Sequence, residues 1–185
     1  FTIKAQEAVQ RAQQIAQELQ HQSIECTHLL KGILQVDENV FPYILKKLSM
    51  NGSQVESTLD QMIAQHPKVS GGESYFSRET VNALQKAQSA LKELGDEYIA
   101  LEHLLLGILR SGNQVSRMLK DAGMNEKDLL EAIKELRKGG QVNTRSSEDS
   151  YQALDKYAIH LNERAESGNL DPAIGRDEEI RRVLQ

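Results

Sequence analysis

Hydrophobic residues recur every three or four positions along most of the chain. In the first segment they are Ala5, Ala8, Val9, Ala12, Ile15, Ala16 and Leu19, and in a later one Val81, Leu84, Ala87, Leu91 and Leu94. This spacing places the apolar side chains on one face of an α-helix. No stretch shows the sustained apolar–polar alternation of a half-buried strand. The pattern therefore predicts an all-α protein.

One stretch of eleven residues occurs twice, 75 positions apart. IECTHLLKGIL at 24–34 and IALEHLLLGIL at 99–109 agree at seven positions. The same offset aligns further residues before this stretch, and an offset of 74 aligns Asn51 with Asn125 after it. Self-similarity at a fixed offset is the sequence signature of an internal repeat.

Each repeat is predicted to contain four helices. Their bounds are 1–20, 26–36, 41–49 and 51–65 in the first repeat, and 77–95, 101–110, 113–122 and 125–138 in the second. Ser77, Asn51 and Asn125 are predicted N-caps, because a short polar side chain there can accept a hydrogen bond from the first helical turn.

A connector at 66–76 separates the repeats. It contains Pro67 and a pair of glycines, which interrupt helices. We therefore expect one pseudo-twofold domain over residues 1–138, built from repeat 1 (1–65) and repeat 2 (77–138).

The composition changes after residue 138. Residues 139–150 are rich in Gly, Ser and charged residues and have no apolar periodicity, which predicts a flexible linker. Helical periodicity returns after it, so residues 151–185 are predicted to open a second domain. The chain begins without Met and stops at Gln185 within a helical pattern, and we therefore expect it to be a fragment.

Charge and aromatic content exclude one class of partner. The net charge is −5, only 4% of residues are aromatic and Trp is absent. Binding to nucleic acid usually needs a basic surface or an aromatic stacking platform. We therefore expect no nucleic-acid partner.

The chain is also expected to have no membrane partner and to be a cytoplasmic protein. Its longest apolar run, LLLGIL at 104–109, is far shorter than the roughly 20 residues that a membrane span needs. The N-terminal stretch is amphipathic and does not resemble a signal peptide. The single cysteine, Cys26, cannot form an internal disulfide and is predicted to be a small buried residue.

Few residues suggest chemistry. His28 and His103 recur through the repeat, but neither has a His or Cys partner at helical spacing, so no metal site and no catalytic residue are predicted. Asp96 and Glu102 can either stabilise the start of a helix or line a surface groove. No G-x-x-x-x-G-K-[ST] motif is present, so these 185 residues cannot hydrolyse ATP on their own.

The duplicated HLLxGIL unit, the connector PKVSG at 67–71 and LDPAIGRDEEIRRVLQ at 170–185 together resemble the N-terminal region of Clp-family AAA+ proteins. The resemblance covers essentially the whole chain, and SYQALDKY at 150–157 favours the disaggregase branch. One departure is Thr27, where many relatives have an acidic residue before the histidine.

This resemblance implies a helical N-domain on a homo-hexameric ring that uses ATP to thread aggregated polypeptides through its pore with an Hsp70-type system. The isolated fragment is expected to be monomeric and to need no cofactor. Unfolded clients would contact an apolar groove with a polar rim, for which the matching positions are Thr2, Leu84, Asp96, Tyr98 and Glu102. Half of a nucleotide pocket would be formed by Ala173, Ile174, Gly175 and Arg176.

Two other functions remain open from the sequence. The same N-domain occurs in ClpC-type unfoldases, where it would bind a folded adaptor and deliver substrates to a protease. The repeat could also be a structural scaffold without any client. An exposed apolar surface would argue against the scaffold.

Overall fold

Eight α-helices follow one another in residues 1–149, the part of the chain that this computed structural model describes. The first four are α1 (Ile3–Glu18), α2 (Cys26–Val36), α3 (Val40–Lys47) and α4 (Gly52–Ala64), and the next four are α5 (Arg78–Glu93), α6 (Leu101–Arg110), α7 (Gln114–Asp121) and α8 (Glu126–Arg137). Every predicted helix within these residues is present, with ends that differ from the prediction by at most two positions. The all-α fold with two four-helix units is confirmed.

The predicted N-caps form as expected. The side-chain oxygens of Asn51, Ser77 and Asn125 each accept a hydrogen bond from the backbone N–H of the third residue further on. Such a cap typically stabilises a helix by about 1 kcal/mol. These short-range contacts explain why α4, α5 and α8 begin where they do.

The glycine of the repeated motif permits two helices to touch. A Cβ atom at Gly32 would lie 2.5 Å from the backbone oxygen of Ala8, and one at Gly107 would clash with the backbone oxygen of Ala83. α2 can therefore pack directly on the alanine-rich face of α1, and α6 on that of α5. The motif recurs because both units use the same close helix pair.

Each repeat is anchored on the other by an equivalent hydrogen bond. The backbone N–H of Ser77 donates to the carbonyl oxygen of Ile24 (3.1 Å), and that of Thr2 donates to the carbonyl oxygen of Ile99 (2.8 Å). Ile24 and Ile99 begin the two copies of the repeated stretch. This reciprocal contact, with the single hydrophobic core that spans both units, makes the domain pseudo-twofold.

A short strand pair is an element that periodicity does not predict. β1 (Ser23–Ile24) pairs in parallel with β2 (Tyr75–Phe76), so the end of the connector lies beside the start of α2. Two residues are too few to show alternation, which is why the sequence pattern missed them.

Part of the predicted flexible linker at 139–150 packs against the domain. Its residues 141–149 are named the strap from here on. Val142 is 0% and Glu148 is 1% exposed, and the carbonyl oxygen of Arg145 accepts a hydrogen bond from the backbone N–H of Ile3. One valine and one carboxylate hold the segment, and such sparse contacts leave no periodic signal.

The predicted second domain at 151–185 lies outside the described residues, as does the partial nucleotide pocket. Within residues 1–149, no helix is both long and apolar enough to cross a membrane.

Candidate client-binding site

Four buried polar side chains form a cluster in the second repeat, beneath the strap. Arg137 of α8 binds Asp96 (Nη1 to Oδ2, 2.8 Å) and Glu102 (Nε to Oε2, 3.2 Å). His103 donates from Nε2 to Asp96 Oδ2 at 2.6 Å. Each residue is at most 8% exposed. The two carboxylates are therefore positioned by a guanidinium and an imidazole inside the domain.

The tautomer of His103 follows from its second hydrogen bond. Its Nδ1 accepts from the backbone N–H of Ala100 at 2.8 Å, so the proton of the neutral ring lies on Nε2, which faces Asp96. Burial is the largest influence on this imidazole and lowers its pKa, an effect that the nearby Arg137 reinforces. His103 thus links the start of α6 to the acidic cluster as a neutral donor.

The first repeat has a cluster at the equivalent place with different chemistry. His21 and His28 face each other (Nδ1 to Nε2, 2.9 Å), and Thr27 Oγ1 lies 2.7 Å from His66 Nε2. Burial lowers the pKa of His28 to about 3, and the neighbouring His66 and His21 add to this effect. The offset of 75 maps His21, Thr27 and His28 onto the two acids and the histidine of repeat 2. Many relatives have an acidic residue where this chain has Thr27. In this structure Thr27 belongs to a cluster of histidines that contains no carboxylate.

The repeated histidines share a structural role. His28 Nδ1 accepts from the backbone N–H of Glu25, the residue before α2, as His103 does before α6. No group of three or more His, Cys, Asp or Glu side chains in the described part of the chain has the arrangement of a metal site. Cys26 is buried, as predicted, and burial raises its thiol pKa to about 11.

The strap closes the second cluster with a carboxylate. Glu148 Oε2 accepts hydrogen bonds from Thr2 Oγ1 (2.8 Å) and from the backbone N–H of Leu101 (3.3 Å). Burial, assisted by the charge of Glu102, raises the pKa of Glu148 to about 7. The buried position of Glu148 in the strap therefore disfavours the ionised form of this carboxyl group.

An open cleft lies beside this cluster, between α1 and the residues before α6, and is named the Tyr98 cleft. Its volume is about 620 Å³, and its lining residues are Phe1, Gln6, Val9, Gln10, Gln13, Tyr98 and Arg145. Phe1 is 47% exposed, whereas Val9 and Tyr98 are half-buried. Aromatic and aliphatic surface edged by amide side chains suits an extended polypeptide, whose backbone can pair with the amides while its side chains cover the apolar floor.

The structure places the five predicted client residues in three different environments. Tyr98 lines the cleft. Thr2, Asp96 and Glu102 are brought together, but they are buried under the strap and do not form the exposed polar rim that we expected. Leu84 is half-buried on α5 and does not line the cleft.

Val9 takes the place in the cleft that was predicted for Leu84. The two residues are equivalent through the offset of 75, Val9 on α1 and Leu84 on α5. Sequence reasoning missed the six other lining residues, which are Phe1, Gln6, Val9, Gln10, Gln13 and Arg145. The pairing of Val9 with Leu84 across the repeat was the available signal for Val9, since Tyr98 lines the same cleft as residues of α1.

A larger groove of about 880 Å³ lies elsewhere, between α4 and α7. Its lining residues are Asn51, Gln54, Val55, Thr58, Met62, Glu79, Gln114, Arg117, Met118, Asp121 and Ala122. Its charged residues are of both signs and its apolar residues come from both repeats. This groove is the alternative location for a bound partner.

Comparison with known proteins agrees with the duplicated fold. Residues 1–122 match the Clp repeat (R) N-terminal domain family. The chain belongs to this family. All 185 residues align with two chaperone proteins named ClpB, at 58% identity for that of Bacteroides thetaiotaomicron and 45% for that of Porphyromonas gingivalis. The chain spans only about a fifth of the length of these relatives, 22% and 21%.

A solved structure shares the fold. The Hsp104 N-terminal domain from Candida albicans superposes with a TM-score of 0.72 at 20% identity, over 80% of this chain and 98% of that one. At this identity the likeness supports the fold alone. The family and the fold are therefore those of a Clp chaperone N-terminal domain.

Proposed function

We propose that this chain is the client-recruiting N-terminal domain of an ATP-dependent chaperone that separates aggregated proteins. The observation that supports it most is the Tyr98 cleft, an accessible apolar surface in a domain of the Clp family whose relatives, aligned over all 185 residues, include ClpB chaperones. Weak contacts are sufficient for such recruitment, because several copies on one ring raise the effective concentration of the client.

The activity of the whole protein is part of the same proposal. It would assemble as a homo-hexamer, thread unfolded or aggregated polypeptides with the energy of ATP, and cooperate with an Hsp70-type system in the cytoplasm. Ala173, Ile174, Gly175 and Arg176 would contribute half of its first nucleotide pocket. The chain itself has no Walker A motif and supplies binding, not catalysis.

A matched pair of variants tests the cleft. In Val9→Gln the cleft loses an aliphatic side chain, and in Leu84→Gln the same kind of change is made at the equivalent position of the other repeat. Both residues are half-buried on the first helix of their unit, so their structural costs are comparable. We expect Val9→Gln to weaken binding of a fluorescent, permanently unfolded polypeptide several-fold and Leu84→Gln to leave it unchanged.

The outcomes separate the alternatives. If both variants bind the polypeptide as well as the wild type does, the Tyr98 cleft is not the client site. The groove between α4 and α7 is then the next site to test. Absence of binding to the unfolded polypeptide by the wild-type chain would refute client recruitment. A folded adaptor that binds where the unfolded polypeptide does not would favour the ClpC-type function.

A further inference from the structure

Val142 of the strap makes the kind of contacts that a residue of a bound peptide makes. The backbone N–H of Val142 donates to Asp96 Oδ1 at 2.9 Å, and its carbonyl oxygen accepts from the backbone N–H of Glu97 at 2.8 Å. Its side chain is 0% exposed. Main-chain hydrogen bonds on both sides of a buried side chain are the usual way in which proteins recognise extended segments. We call Asp96 and Glu97, with the space that Val142 fills, the valine seat.

The valine seat is built by residues outside the strap. Asp96 is positioned through its other oxygen by Arg137 and His103, whether or not Val142 is present. Glu97 follows directly in the chain and precedes Tyr98. A preorganised acceptor and donor are thus available to any extended segment that can replace the strap.

The strap is suited to leave the seat. It is attached through Lys138 and Gly139, whose φ angles of 52° and 80° form a sharp reversal after α8. Apart from Val142 its residues are polar or charged. Its other attachments are a few hydrogen bonds, chiefly those of Glu148 Oε2 with Thr2 and Leu101 and that of the Arg145 carbonyl oxygen with the Ile3 N–H. A segment with one buried apolar side chain and few hydrogen bonds belongs to the low-stability end of a domain, where local opening costs least.

The seat adjoins the Tyr98 cleft. Arg145 of the strap lines that cleft and donates from Nη2 to Gln6 Oε1 at 3.1 Å. A polypeptide in the cleft therefore meets the strap, and the next part of the same polypeptide can reach the seat only when the strap moves away.

We infer that the valine seat is a client subsite for an extended segment with an aliphatic side chain, and that the strap is an internal ligand that competes for it. The inference rests on the proposed client-binding function. It explains how the buried Thr2 and Asp96 can take part in recruitment, since both are hydrogen-bonded to the strap in the closed domain. It also predicts that clients bind more weakly to the closed domain, because the apparent affinity falls with the fraction that is open.

Amide hydrogen exchange on the unmodified full chain tests whether a client replaces the strap in the valine seat. With a saturating amount of the unfolded polypeptide, we expect the Val142 N–H to lose its protection while the Glu97 N–H keeps it, because a client carbonyl replaces that of Val142. If the Val142 N–H stays protected at saturation, the inference is wrong.

A second test changes the internal ligand. Val142→Ala weakens the hold of the strap and is expected to raise client affinity several-fold, up to about tenfold if a tenth of the wild-type molecules are open. Val115→Ala is the control for loss of a buried valine side chain, because Val115 on α7 is 3% exposed and lines neither the Tyr98 cleft nor the groove between α4 and α7. It should leave affinity unchanged.

The results distinguish this inference from the proposed function. If the wild type binds the polypeptide, Val9→Gln weakens binding and Val142→Ala has no effect, then the cleft recruits clients and the valine seat does not. If neither the wild type nor Val142→Ala binds it, the proposed function fails and the inference fails with it.

Discussion

The buried imidazole of His28 predicts that the domain loses stability in mild acid. His28 is 0% exposed, its Nδ1 accepts from the backbone N–H of Glu25, and its Nε2 faces His21. Protonation of His28 would add a proton on Nδ1, which would then face the Glu25 N–H. Two donors would oppose each other and the hydrogen bond would be lost. Burial and the neighbouring histidines accordingly lower the pKa from 6.5 to about 3.

The size of the effect follows from proton linkage. Because the folded pKa of His28 is below the unfolded value, its contribution to stability is present above pH 6.5 and is lost as the pH falls towards 3. At pH 5 nearly all unfolded chains carry the proton and folded chains do not. Integration of this difference from pH 8 to pH 5 gives a loss of about 2 kcal/mol in the free energy of unfolding.

Urea unfolding at the two pH values measures this loss. The chain has no Trp, so far-ultraviolet circular dichroism of the helices is the appropriate signal. His28→Asn provides the comparison, since its side-chain oxygen can still accept from Glu25 but does not titrate. The wild type is expected to lose about 2 kcal/mol more than the variant between pH 8 and pH 5. Parallel losses in the two proteins would refute the assignment of His28 as a buried neutral group.

Three further substitutions test the packing and the second cluster. Gly107→Ala should cost about 1–3 kcal/mol in thermal unfolding because the new methyl group meets the backbone of Ala83, and an unchanged melting temperature would contradict this close approach. In urea unfolding, the free energy of unfolding of Glu148→Gln should rise by up to about 2.5 kcal/mol relative to the wild type between pH 5 and pH 8. The reason is that burial and Glu102 raise the pKa of Glu148, so the wild-type contribution is present at low pH and lost as the pH rises through about 7. Arg137→Met should cost about 3–5 kcal/mol because it leaves buried carboxylates without their guanidinium, and a loss below about 1 kcal/mol would show that the cluster is not coupled to folding.

The same cluster changes how Asp96 and Glu102 should be examined. Replacing both would test the expected polar rim only if the two carboxylates were exposed. Because both carboxylates bind the buried Arg137, their joint removal would also destabilise the domain. Loss of client binding in that double variant would therefore not distinguish recognition from unfolding, whereas Val9→Gln with its Leu84→Gln control does.

Most of the helical architecture could be predicted because it depends on short-range information. Spacing of apolar residues located the helices, and the caps at Asn51, Ser77 and Asn125 act within one helical turn. The repeated glycine was visible in the sequence, but its role was not, since the backbone that it contacts lies 24 residues earlier in each unit.

The candidate site could be predicted only in part, because its contacts are long-range. Arg137 is 35 positions from Glu102 and 41 from Asp96, and Glu148 is 146 from Thr2. No periodicity joins residues at such separations. The strap shows the same limit, since a single valine among polar residues gives no sign that its side chain is buried.

Comparison of the two repeats offers a physical criterion that separates structure from function in this domain. Positions with the same residue in both units perform the same structural task. His28 and His103 accept from the residue before a helix, and Gly32 and Gly107 allow two helices to touch. Neither task distinguishes one unit from the other, so neither can explain why a client would prefer one side of the molecule.

Several of the positions that differ between the repeats lie around the proposed site. Across the offset of 75 the pairs are His21 with Asp96, Ser23 with Tyr98, Thr27 with Glu102 and Val9 with Leu84. Repeat 2 supplies Asp96 as the acceptor of the valine seat and Tyr98 as one wall of the cleft, and repeat 1 supplies Val9 on the opposite wall. The duplicated fold therefore provides two equivalent frameworks, and divergence at these positions gives the proposed client site different residues from each repeat.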